Sequence, residues 1–157
     1  MGFITIETVI NKDKKFTMEF ASAGLYTINC GLCKNLDFYD KVVKLFIADD
    51  ILLVLTEDRD FRNGSDQAPI LKANRETNNI DAYDWQGNHL WNIGDIVGDI
   101  KMQFDSFHHT SAKEVKKYYG VTCVPSRSIY ACISGGFVFL IDVKKRKLLR
   151  KVSGRIR

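Results

Sequence analysis

The chain has no apolar stretch long enough to cross a bilayer. Its longest unbroken runs, residues 51–55 and 137–141 among them, are five residues each, where a spanning helix needs roughly 20. The opening MGFITIETVINKDKKF lacks the basic start, apolar centre and small-residue cleavage site of a secretory signal. A cytoplasmic protein with no membrane role is therefore expected. Four cysteines in 157 residues are too few for a disulfide-built scaffold, so reduced thiols are expected in a reducing compartment. A hydrophobic content of 45% with 27% charged residues excludes wholesale disorder. A chain of this length is expected to form a single domain, 1–157, around one core.

Charge of opposite sign is segregated. Residues 144–157 carry eight Lys and Arg and no acidic residue, whereas residues 1–143 carry 15 basic against 19 acidic residues. A basic tail on an acidic body is the footprint of an anionic partner. Here Lys144, Lys145, Arg146, Lys147, Arg150 and Lys151 form the basic patch. The tail lacks the interleaved aromatics of a nucleic-acid reader, and lysines also protect an edge strand from pairing. Nucleic acid is not the expected partner.

Alternation of apolar and polar residues, punctuated by turn residues, predicts strands through most of the chain. Residues 3–10 and 16–20 flank a polar turn and form an N-terminal hairpin over 3–20. A short strand follows at 25–29. In KVVKLFIADDILLVLTE, Ala48-Asp49-Asp50 reverses the chain between two strands. Residues 58–79, with Asn63-Gly64 and Pro69, read as an inserted surface loop. Residues 80–84 and 89–93 flank a turn at Gly87, which can take the positive φ such a hairpin demands. Strands are also expected at 100–107, 128–133, 137–143 and 148–152. One helix interrupts them over 112–119, where Ser111-Ala112-Lys113-Glu114 has capping-box spacing and Gly120 provides the stop. Residues 34–46 carry both helical and strand periodicity.

Placing Asp84 on Asp142 aligns AYDWQGNHLW with LIDVKKRKLL, Leu90 falling on Leu148 and Trp91 on Leu149. Two units follow, about 41–94 and 100–153, each of two successive hairpins. The expected fold is mainly β: antiparallel four-strand units, arranged as an open propeller-like array or a sandwich, with one short helix near 112–119.

NNIDAYDWQGNHLWNIG and GGFVFLIDVKKRKLLRKV resemble β-propeller blades of the quinoprotein type, in which an aspartate ends one strand before a short turn and an apolar outer strand. Asp84, Gly87 and Leu90 match that pattern, as do Asp142 and Leu148. The quinone chemistry does not carry over, and no cofactor is expected. Two or three blades cannot close a ring. The resemblance implies open sheets, or a homo-oligomer in which identical chains complete the ring. The chain is also similar to small uncharacterised bacterial proteins that join a D-x-x-G-N-x-x-W hairpin to a G-x-x-x-x-I-D hairpin, here Asp84, Gly87, Asn88, Trp91 and Gly136, Ile141, Asp142. That resemblance implies an immunity or accessory role.

The pointed chemistry lies elsewhere. Cys30-Gly31-Leu32-Cys33 follows a strand and can open a helix whose dipole lowers a thiol pKa. The segment EVKKYYGVTCVP resembles part of thioredoxin, with Pro125 implied as a cis-proline beside Cys30 and Cys33. A thiol–disulfide oxidoreductase is thus one alternative to a binding protein, and anion or nucleic-acid binding through the basic C-terminus is the other. Structural zinc needs four ligands, but one Cys-x-x-Cys pair stands alone and Cys132 alternates with apolar residues, so no metal is expected. His108 and His109 precede the helix in what reads as a solvated loop, with no nucleophile context. The first expectation is a non-enzymatic protein whose partner is another protein. Its contact candidates are the loops 58–79, with Arg62 and Asn63, and 106–111, with His108 and His109, together with Trp85.

Overall fold

The computed structural model describes residues 3–11, 14–21, 26–29, 35–38, 41–57, 79–98, 104–133 and 137–153. They form twelve strands in three four-stranded antiparallel sheets, each a simple meander. Sheet A holds β1 (Phe3–Asn11), β2 (Lys14–Ala21), β3 (Tyr26–Asn29) and β4 (Asn35–Phe38). Sheet B holds β5 (Lys41–Ala48), β6 (Ile51–Glu57), β7 (Ile80–Tyr83) and β8 (His89–Asn92). Sheet C holds β9 (Ser106–His109), β10 (Ser128–Cys132), β11 (Phe137–Asp142) and β12 (Lys147–Ser153). A single helical turn, α1 (Gly94–Val97), follows β8, and α2 (Ala112–Tyr119) lies between β9 and β10.

Side-chain alternation decides how the sheets stack. On β6, Ile51, Leu53 and Leu55 point into a core shared with sheet C, while Leu52 and Val54 point into one shared with Ile28 of sheet A. Both faces of β6 are buried, which is why 51–55 is an unbroken apolar run. The partner strand keeps this arrangement with a bulge. Val42 pairs with Thr56 and Lys44 with Leu55, so Val43 is the extra residue. Val42 and Leu45 then serve the sheet A side, and Phe46 and Ala48 the sheet C side. The β5–β6 hairpin turns on Asp49-Asp50, with Asp49 at φ +57°, a conformation aspartate tolerates better than most residues.

The junction between sheets B and C is tied at both ends. At one end, Asn79 is buried and its side chain acts as a short piece of strand. Its Nδ2 donates to Thr56 O (2.6 Å) and Phe104 O (2.7 Å), and its Oδ1 accepts from Phe104 N (2.8 Å). At the other, Asp49 N donates to Ser126 O at 2.7 Å. Lys44 crosses between them, its Nζ donating to Phe107 O at 3.1 Å, while the Phe46 and Phe107 rings meet edge to face at 4.9 Å.

Two expectations need correction. The strand expected at 100–107 is β9, displaced to Ser106–His109; Phe104 cannot open the ladder because its N–H is taken by Asn79. For the same reason the loop expected at 106–111 is mostly strand, pinned by the fully buried Phe107. The ambiguous segment 34–46 contributes β4 and β5, because the backbone pairs with β3 and β6. The helix expected at 112–119 is α2, with Ser111 Oγ accepting from Glu114 N and Gly120 closing it at φ +69°. Among the described residues no helix is long and apolar enough to cross a membrane.

Candidate functional site

Asp142 ends the third strand of sheet C and Asp84 directly follows that of sheet B, and each builds the turn that comes next. The Asp84 Oδ1 accepts from Gln86 N and Asn88 N, both at 2.9 Å. The Asp142 Oδ1 accepts from Lys144 N (3.1 Å) and Lys145 N (2.9 Å). The remaining oxygen, Asp142 Oδ2, accepts from Arg127 Nε at 2.8 Å, so the buried carboxylate is both bonded and neutralised. A rigid turn results, which holds Lys144, Lys145, Arg146 and Lys147 in solvent.

Beyond the turn the two sheets slip by one position relative to the sequence alignment. The left-handed residue is Gly87 in sheet B and Arg146 in sheet C. The bulged residue is Leu90 in β8 and Leu149 in β12. Trp91, opposite Ala82, therefore corresponds to Arg150, opposite Leu140, and not to Leu149. The exchange has a physical reason. Trp91 is buried at 2% exposure in the core shared with sheet C, whereas Arg150 stands exposed on a face that meets no further sheet among the described residues. Arg146 is also telling, because a left-handed arginine costs about 1 kcal/mol that glycine avoids. The turn accepts strain and keeps a cation.

The outer face of sheet C is covered by α2 instead of a sheet. Sheet B joins its first two strands through two residues, whereas sheet C places residues 110–127 there. Val115 and Cys123 of that segment bury Tyr130, Cys132, Val138 and Leu140, each less than 9% exposed. The polar face of α2 adds Lys113, Lys116 and Lys117, all exposed, with the Lys117 Nζ 5.2 Å from the exposed Tyr118 ring. Residues 104–153 thus hold ten Lys and Arg against three Asp and Glu, while residues 41–57 and 79–98 hold two against six. Sheet C is a strongly basic body beside an acidic one.

The other sequence candidates are scattered. His108 and His109 lie exposed on β9, the His109 ring 4.2 Å from Phe46. Trp85 is half-buried against the core between sheets A and B, so only part of this contact candidate is open to a partner. Cys30, Cys33, Arg62 and Asn63 lie outside the described residues; the strands flanking Cys30 and Cys33 pair with each other through Asn29 and Asn35. Pro125 follows a trans peptide bond and opens an exposed 3-10 turn, so the cis-proline implied by the thioredoxin resemblance is not there. Cys123 and Cys132 are free thiols in the core, and burial pushes the Cys132 thiol up, away from the reactive thiolate. No group of three or more His, Cys, Asp and Glu among the described residues is placed to hold a metal ion.

Two features were missed in sequence. One is a small cleft of about 150 Å³ lined by Val43, Leu55, Thr56, Glu57, Phe104 and Asp105. The other is the contribution of α2 to the basic surface, which the spacing of Lys113, Lys116 and Lys117 on one capped helix could have revealed.

No family model and no curated protein matches the chain. By structure it is similar to the crystal structures of two computationally designed proteins, Ika8 and Ika4, at 11% and 10% identity and a TM-score of 0.53 for each. The likeness takes in 96% and 97% of this chain, which spans only 37% of the Ika8 chain and 74% of the Ika4 chain. At such identity the likeness is one of fold alone.

Proposed function

We propose that this chain is a cytoplasmic, non-enzymatic binding protein, of immunity or accessory type, whose partner is another protein. We read its sheets as blade-like units in an open array. The observation that carries the reading is the basic surface of sheet C, where nine exposed Lys and Arg stand on the turn built by the buried Asp142, on the capped helix α2 and on β12. Rigid placement of charge favours specific complementarity over loose attraction. The replacement of Trp91 by Arg150, and the cover provided by α2, speak against ring completion by identical chains, since the face a next sheet would need is already occupied.

The test is isolation of complexes with the wild-type chain and with the variant Lys144→Glu, Lys145→Glu, Arg146→Glu and Lys147→Glu, with and without nuclease. A protein held by the wild type, lost from the variant and indifferent to nuclease supports the proposal. Material released by nuclease would assign the surface to nucleic acid instead.

A further inference from the structure

We infer that the free edge of β12 receives an extended acidic segment of the partner as an added strand; this rests on the protein-binding role proposed above. β12 pairs with β11 on one side, and no strand among the described residues pairs with the other. α1 lies beside it, where Ile96, Val97 and Leu148 pack on the same core, but the Ile96 and Val97 amides donate to Ile93 O and not to β12. The bulge at Leu149 ends the regular ladder, leaving residues 150–153 paired one to one with Phe137, Val138, Phe139 and Leu140. Four residues suffice in this fold, since β3, β4, β7, β8 and β9 are each that long and each pairs.

The charge on this edge selects the occupant. Arg150 pairs with Leu140 on the α2 face, while Lys151 points to the opposite face, its Nζ 4.2 Å from the Phe137 ring. An incoming strand therefore meets a cation on each face at consecutive positions, and Lys144, Lys145, Arg146 and Lys147 extend the field past one end. A second copy of β12 would set like charges opposite each other, which is unfavourable, whereas consecutive carboxylates are matched on both faces. The open ladder favours a polypeptide over nucleic acid, because only a polypeptide can fill backbone donors and acceptors while answering the charge.

The experiment titrates the full chain with a labelled decapeptide of alternating Glu-Glu and Val-Thr pairs, with the same peptide N-methylated at alternate residues, and with single-stranded oligothymidine of equal charge. The expected result is at least tenfold weaker binding of the N-methylated peptide, and a tenfold or greater loss for Arg150→Glu with Lys151→Glu. Equal binding of the methylated peptide or of the oligonucleotide overturns strand addition and leaves a generic anion surface. Absence of peptide binding, in a chain that still retains a nuclease-resistant protein partner, overturns this inference and not the proposed function.

Discussion

Asn79 is the position where a single substitution tests the packing of sheets B and C most sharply. In Asn79→Ala three backbone groups lose their side-chain partners: the carbonyls of Thr56 and Phe104 and the N–H of Phe104. A buried group left unsatisfied costs about 1–3 kcal/mol. Thr56 and Phe104 also line a cleft of about 150 Å³, which is roomy enough for water to satisfy part of the loss. The net expectation is about 3 kcal/mol. For a domain of this size that lowers Tm by roughly 6–12 °C, readable by thermal and urea unfolding followed through the buried Trp91. Asn79→Asp sharpens the test, since at neutral pH its carboxylate confronts two carbonyl oxygens. Its deficit shrinks on acidification to about pH 4, near the ordinary carboxylate pKa, as the protonated acid regains a donor. If both variants unfold within about 1 kcal/mol of the wild type, the latch is not what joins the sheets.

Gly120→Ala costs about 1 kcal/mol, because φ is +69° there while nothing lies within 4 Å of an added Cβ, so the penalty is conformational only; a Tm within 1 °C of wild type contradicts this. Val115→Asp forces a carboxylate into the contact between α2 and sheet C, so the exposed sheet face binds a hydrophobic dye and the solution mass rises with concentration by light scattering; an unchanged monomer refutes the covering role of α2. Burial pushes the Tyr130 hydroxyl up to about 12 from 10.0 and raises the Cys132 thiol above 9.0. The folded state favours both neutral forms, so the unfolded chain loses these protons first. Stability is then steady below about pH 9 and falls as pH rises toward 12. Urea midpoints between pH 8 and 11.5 measure the fall, and Tyr130→Phe makes it shallower; a midpoint that rises with pH contradicts the assignment.

What was legible in the sequence was whatever a few neighbouring residues decide. The Asp84 and Asp142 turns were visible because an aspartate bonds the amide two residues on, and α2 because its cap and stop lie within ten positions. The one-residue slip that sets Arg150 in the place of Trp91 was not, since two bulges fix it and a bulge is a property of paired strands. β9 was displaced because Phe104 is claimed by Asn79, 25 residues earlier. The Arg127–Asp142 pair, 15 residues apart, likewise appears only once β10 lies beside β11. The basic run was legible as composition, but its fixation by Asp142 and its extension by α2 were not.

The most direct test of the basic sheet as a protein-binding surface is amide hydrogen exchange across the chain, with and without the acidic decapeptide. New protection confined to residues 147–153, and absent in Arg150→Glu with Lys151→Glu, is the predicted result. Protection that leaves 147–153 unchanged, or that persists in the charge-reversed variant, would contradict the account.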